Sequence, residues 1–193
     1  MYITKKNFYI LSKIENNTYH LFNLIKRDIP SSIFSSLNYK FFNSLIREKI
    51  LHLYIIQYKK KNSAIITITT VRNLAKLKYR IFLFYLINPF AFILNIINVF
   101  KSLGRSSNSK FDKSYLHLLH FIIYKKRFMN VSIKKKDNII NFFLKSILRT
   151  FNAKSFFLCY ERNNLKAHKF YLRNNFVVYN RNRDLVFVKK IIN

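Results

Sequence analysis

YLHLLHFIIYKKRFMNVSIKKKDNIINFFLKSILRTFNAKSFFLCY, residues 115–160, decides the fold class of this chain. Its first nine residues, YLHLLHFII at 115–123, are almost wholly apolar, as a central strand covered on both faces is. A basic segment, YKKRFMNVSIKKK at 124–136, follows. DNIINFFLKSILRTF at 137–151 has the spacing of an amphipathic helix, and Asp137 opens it with a charge that suits the N-terminal dipole. SFFLCY at 155–160 is a second buried strand. Strand, helix and strand in that order imply a parallel pair joined by a right-handed crossover. This predicts an α/β fold, a mixed central sheet with flanking helices, and argues against an all-helical bundle.

On the C-terminal side, NLKAHKFYLRNNF at 164–176 reads as a short helix. Asn164 can cap it, and Ala167, Phe170 and Tyr171 share one face. Asn175 can take the left-handed conformation that ends it. FVVY at 176–179 and DLVFVKKI at 184–191 form a hairpin across 180–183. On the N-terminal side, residues 2–4 read as a short strand and 7–25 as a helix. Residues 29–50 read as a loop and then a helix, capped by Ser35 or Ser36, with Leu37, Phe41, Phe42 and Leu45 inward. LHLYIIQY at 51–58 and AIITITT at 64–70 are strands, joined by the turn KKKN into a hairpin.

Between the halves lies an awkward segment. IFLFYLINPFAFILNIINVF, residues 81–100, carries no charge and is long enough to cross a bilayer. Asn88, Asn95, Asn98 and the central Pro89 break it up, and basic residues flank both ends. The expectation is two apolar helices meeting at Pro89, buried or lying on a membrane surface. The polar GRSSNSKFDKS at 104–114 closes the segment as a loop. The 193 residues therefore read as a single domain with an apolar helical insertion at 71–114.

The formal charge is +29, from 36 Lys and Arg against 7 Asp and Glu. Such a balance suits an anionic partner: nucleic acid, a phosphorylated ligand or an acidic membrane surface. Heavy use of Asn, Lys, Ile, Phe and Tyr also fits an A/T-rich genome, which would spread lysines over solvated faces. The positives do run along the whole chain, with short runs at 59–61, 125–127 and 134–136. The single cysteine, Cys159, excludes an internal disulfide and reads as a core thiol. The five histidines have no metal-ligand spacing, so no metal is expected. The N-terminus lacks an apolar signal core. A reducing compartment is expected, a bacterial cytoplasm or organelle matrix, with peripheral membrane association through the apolar segment.

A strand that runs through a basic loop into a helix N-terminus outlines an anion site, because free N–H groups and the dipole point the same way. Here the loop is about 130–136, and Lys134, Lys135 and Lys136 add charge. In so lysine-rich a chain the same loop also reads as a solvated turn.

These motifs resemble the GCN5-related N-acetyltransferase family. In that family an asparagine opens a helix, an alanine follows three residues on, then a Phe-Tyr pair, then Gly-Phe. Asn164, Ala167, Phe170–Tyr171 and Asn175–Phe176 stand in those places, with Asn175 where glycine is usual. Residues 115–151 are similar to the acetyl-CoA segment, and IPSSIFSSLNYKFFNSL at 29–45 to the opening of some bacterial members. The family's pyrophosphate loop is glycine-rich, whereas no glycine lies between Asn130 and Asp137. Either Asn130, Ser132 and lysine side chains have remade it, or cofactor binding is weakened or lost.

The resemblance implies an acyl-CoA N-acyltransferase-like fold and transfer of acetyl from acetyl-CoA to a small-molecule or protein amine, an amino sugar being one candidate. The pantetheine arm would lie along Phe121, Ile122 and Ile123, where a backbone N–H near Phe121 or Ile122 stabilises the oxyanion. Tyr171 would protonate the leaving thiolate, the two groups being nearly balanced in acidity. Asn164 would be a cofactor-side asparagine, and His120 or Glu161 the base. Strand parity puts His117 on the face opposite His120. The alternative is a basic organellar ribosomal or RNA-binding protein.

Overall fold

Alternating strand residues, each turning one side chain to either face, build one eight-stranded sheet in the order β1-β2-β3-β4-β5-β6-β8-β7. The computed structural model describes residues 3–6, 9–15, 18–29, 33–58, 61–88, 90, 93, 114–124, 128 and 131–191. The strands are β1 Ile3–Lys6, β2 Tyr9–Ile14, β3 His52–Tyr58, β4 Lys61–Thr70, β5 Tyr115–Ile123, β6 Ser155–Glu161, β7 Val177–Arg181 and β8 Leu185–Ile191. The helices are α1 Tyr19–Asp28, α2 Tyr39–Arg47, α3 Val71–Ile87, α4 Ile133–Thr150 and α5 Leu165–Arg173. All pairings are antiparallel except β5 with β6, the parallel pair that the sequence predicts.

The sheet is covered on both faces. On one, α4 packs Ile139, Ile140, Phe143, Leu144 and Ile147 against Tyr54, Ile56, Ile66, Leu118, Phe156 and Val188. On the other, α1, α2 and α3 bring Phe22, Phe42, Leu45, Leu77, Ile81 and Phe84 onto Leu53, Ile55, Ile65 and Ile122. Two-sided burial explains why β3 and β4 read as continuous apolar runs.

Three expectations are corrected at element boundaries. The helix expected at 7–25 is instead strand β2 followed by α1. Tyr9 and Leu11, two residues apart, both enter the α4-side core, which a strand period allows and a helical one does not. The helix after residue 29 begins at Tyr39 and is capped by neither Ser35 nor Ser36; the Asn38 side chain accepts from the Phe41 N–H, and Ser36 Oγ is hydrogen-bonded to the Tyr85 hydroxyl. Phe42 and Leu45 are buried as expected, with Ile46 beside them. The third correction is α4. It starts at Ile133, and Ser132 Oγ accepts from the Lys135 N–H at 3.3 Å. Asp137 is therefore inside the helix, and its carboxylate accepts from Arg173 Nε at 2.6 Å and Asn174 Nδ2 at 3.3 Å.

That carboxylate ties α4 to the end of α5. Lys190, on β8, completes the tie by donating to the Asn174 carbonyl and to Asn141 Oδ1. Burial pulls the Lys190 ammonium down to about 8. Helix α5 forms as the sequence predicts: Asn164 Oδ1 accepts from the Ala167 N–H at 3.0 Å, and Asn175 closes the helix at φ 60°.

Within 71–114, α3 packs one face on the sheet, and most of residues 89–113 lie outside the described residues. The Pro89 junction and the 104–114 loop therefore fall largely outside them. No helix among the described residues is long and apolar enough to cross a membrane.

Asn175 is exposed, so its substitution reads backbone preference alone. Asn175→Gly is expected to hold the urea midpoint, and Asn175→Val to lower stability by about 1–2 kcal/mol, because a β-branched residue resists positive φ. Paired denaturation curves check this.

Candidate functional site

The site begins with hydrogen bonds that β5 and β6 do not make. They pair only at Tyr115↔Ser155, Leu116↔Phe156 and His117↔Phe157, with Lys154 N–H donating to the Ser114 carbonyl at the closed end. Beyond that the strands part. Strand β6 stays paired with β8 over its whole length, from Ser155↔Ile191 to Glu161↔Leu185. Strand β5 stays with β4 but shifts register, pairing Thr67↔His120 and Ile68↔Leu118 and leaving Leu119 as an extra residue. A bulge bends and twists the strand that carries it. Held to different neighbours, the two strands diverge, and residues 118–123 face 158–161 across a gap.

The bulge also corrects the expected arrangement of the histidines. The extra residue resets side-chain alternation, so His117 and His120 turn to the same face, the one covered by α1–α3. His117 stacks on Phe157 at 4.3 Å between ring centres, its Nδ1 buried without a partner. Burial, then the charges of Lys78 and His120, pull it down to about 3. His120 meets the Phe34 ring edge-on at 4.9 Å, and burial pulls it down to about 4. Phe121 and Ile123 turn to the α4–α5 side, and Ile122 to the α1–α3 side.

Helix α5 lies over the gap on the α4 side. Its Tyr171 ring stacks on Tyr160 at 5.3 Å and packs edge-on against Phe170 and Phe176. Burial, the Cys159 thiol and the Tyr160 hydroxyl, in that order, hold its phenol well above the usual range. The near balance in acidity with a thiolate is therefore corrected: burial tips it toward keeping the proton on Tyr171. Tyr160 is fixed in turn by a 2.6 Å hydrogen bond between its hydroxyl and His168 Nδ1.

Cys159 is half-buried, not sealed in the core. Its thiol interacts electrostatically with Tyr171 and with Lys78. Lys78 lies on the inner stripe of α3 with Leu77, Ile81 and Tyr85, and burial pulls its ammonium down. No carboxylate among the described residues pairs with it. The sequence reading passed over Lys78; its signal was a lysine set within the apolar stripe of a helix.

Lys134, Lys135 and Lys136 are corrected from loop to first helical turn, where no acidic residue offsets them. Their charge adds to the positive end of the α4 dipole. The Ser132 side chain serves as the cap, and Asn130 lies outside the described residues. Asn164 is exposed and occupied as the cap of α5, and Glu161 is exposed at the open end of β6. No group of three or more His, Cys, Asp or Glu among the described residues is placed to hold a metal ion.

Compared by sequence, the chain matches no family model and no curated protein. Compared by structure, it is similar over nearly its full length to acetyltransferases. A probable acetyltransferase from Staphylococcus epidermidis superposes with TM-score 0.59 at 8% identity, covering 96% of this chain and 99% of that one. The ribosomal-protein-S5-alanine acetyltransferase from Vibrio fischeri gives 0.57 at 10% identity, covering 99% and 97%. The Campylobacter jejuni N-acetyltransferase PseH, in complex with acetyl coenzyme A, gives 0.54 at 11%, covering 95% and 98%. At these identities the likeness is one of fold: the chain has the fold of the GCN5-related N-acetyltransferases. None of these structures supports the ribosomal or RNA-binding alternative.

The histidines set a pH dependence. Their folded values lie below the ordinary 6.5, so between about 4 and 6.5 the unfolded chain binds more protons than the folded one. Stability is expected to be complete above pH 6.5 and to fall as the pH drops toward 4. In His117→Phe and His120→Phe that fall should be shallower, as urea midpoints measured across the range will show.

Proposed function

We propose that the protein is an N-acetyltransferase that moves an acetyl group from acetyl-CoA to a primary amine. The observation that carries this reading is the opening between β5 and β6, with the Tyr171 ring of α5 stacked on Tyr160 of β6. Two backbone edges unpaired with each other are suited to an extended, amide-bearing chain such as pantetheine. The capped N-terminus of α4, with three lysines in its first turn, suits a pyrophosphate. The residues present therefore fit acetyl-CoA, which as co-substrate supplies an activated thioester.

The chain's own groups supply the rest. The Phe121 backbone N–H, on the unpaired side of β5, stabilises negative charge on the carbonyl oxygen during attack, whereas that of Ile122 points to β4 by the alternation in which Tyr124 N–H donates to the Ser63 carbonyl. Tyr171 keeps its proton through the neutral range and donates a hydrogen bond to the sulfur as negative charge develops there. His120, on the other face, stays uncharged near neutrality and can accept a hydrogen bond from the incoming amine. Glu161 stands at the solvent end, where it can take up the amine's proton.

The acceptor enters from the α3 side. Lys78 there is a half-buried cation without a carboxylate partner among the described residues, and burying a charge is costly unless it is paired. An amine whose molecule also carries a carboxylate or phosphate supplies that partner. An amino sugar on an anionic carrier meets this description, as does a protein N-terminus beside an acidic side chain.

Calorimetric titration with acetyl-CoA should show micromolar binding; no heat at millimolar ligand rejects the reading. Tyr171→Phe should bind acetyl-CoA as the parent does and lose about 100-fold in kcat. Undiminished turnover removes Tyr171 from the proton-donor role. Lys78→Met should raise KM about tenfold or more for anionic amines while leaving uncharged amines unaffected. A uniform change across both classes rejects the acceptor assignment alone.

A further inference from the structure

Helix α3 has two apolar faces and uses only one of them. Leu77, Ile81, Phe84 and Tyr85 are buried on the sheet. Facing away are Tyr79, Phe82, Leu86 and Ile87, with relative exposures of 60%, 47%, 61% and 78%. Phe90 and Ile93, just beyond, are 83% and 67% exposed. Single exposed apolar side chains are ordinary, but here six of the eleven large exposed ones among the described residues fall within residues 79–93. On the same outward face, Arg72 and Lys76 precede Tyr79 at the helical intervals of four and three. The outer face of α3 is thus cationic in its first half and apolar in its second.

We propose that this face docks the protein on an anionic lipid surface, with the apolar half of α3 entering the interface and Arg72 and Lys76 among the headgroups. Charge selects this occupant. At +29, a second copy of the chain is repelled. A stripe of six side chains also falls short of the roughly 20–30 residues a side that a stable protein interface uses. Nucleic acid would satisfy the charges and leave Leu86 and Ile87 in water. An anionic bilayer satisfies both halves, and Tyr79, at the boundary between them, has the amphipathic ring that suits the headgroup level. Some of the cationic charge is already committed, since Glu48 pairs with Arg80 at 2.6 Å and lies 4.0 Å from Lys76.

The test uses the full chain with vesicles of phosphatidylcholine alone and of phosphatidylcholine with phosphatidylserine. Binding is expected only to the anionic vesicles, with a fraction that survives high salt. Leu86→Ser/Ile87→Ser should reduce that salt-resistant fraction about tenfold or more, while its urea midpoint stays at the parent value. The chain contains no tryptophan, so Leu86→Trp makes a single reporter. Its emission should shift to the blue on adding anionic vesicles. Binding that high salt abolishes, with no blue shift, reduces the contact to charge alone and overturns the proposal. So does a dimer in sedimentation velocity that the serine variant dissolves, or capture of an acidic protein with no affinity for lipid.

Discussion

Hydrogen bonds withheld between two neighbouring strands organise this molecule. A buried backbone group left without a partner costs about 1–3 kcal/mol. Sheets therefore close unless something holds them apart. Here β6 is committed to β8 along its full length, and β5 is committed to β4 through a register that carries one residue too many. The bulge bends β5 away from β6, so closing the gap would mean undoing a register that β4 has fixed. The opening is thus built from ordinary pairing on both sides, and it needs no special residue in the gap.

The bulge has a second effect, on chemistry. By resetting alternation at Leu119 it brings two imidazoles to one face, under α1–α3, and leaves Phe121 on the other, against Phe170 of α5. The two faces of the opening then differ in kind. One carries a phenol held protonated by burial, supported by a wall of stacked rings. The other carries His120, held uncharged by burial, with His117 at the closed end and the half-buried Lys78 ammonium on α3. Tyr171 and Lys78 come from helices on opposite faces of the sheet, and both interact electrostatically with Cys159.

Much of this was legible in the sequence because periodicity and caps are local. Residues 115–123, 155–160 and 164–176 each announced their element, and Asn164 and Asn175 announced the ends of α5. What was not legible depended on distant partners. A bulge is a relation between two strands, so parity alone placed His117 and His120 on opposite faces. Asp137 looked like the start of a helix because an acidic residue favours that place, yet it lies inside α4, where its buried carboxylate pairs with the half-exposed Arg173. Residues 7–14 contain enough apolar spacing for a helix, and pairing with β1 and β3 overrides it. Lys78 could be noticed only once α3 was seen to lie beside β5.

The absence of glycine before α4 is the sharpest departure from the fold's usual chemistry. Glycine lets a backbone approach a phosphate closely, so the N–H groups do the binding. Here Ile133 and the lysines bring side chains to that turn, which holds a phosphate farther from the amides. Distance weakens a hydrogen bond steeply and a charge interaction slowly, the latter falling only as the inverse of separation. Three ammonium groups in the first turn, with no acidic residue there to offset them, are a kind of charge that would still act over a longer reach. The same substitution destabilises the empty helix end, because each lysine opposes the dipole. The strain that the lysines put on the empty helix end would be relieved by an anion there, which is what the pyrophosphate of the proposed co-substrate would supply.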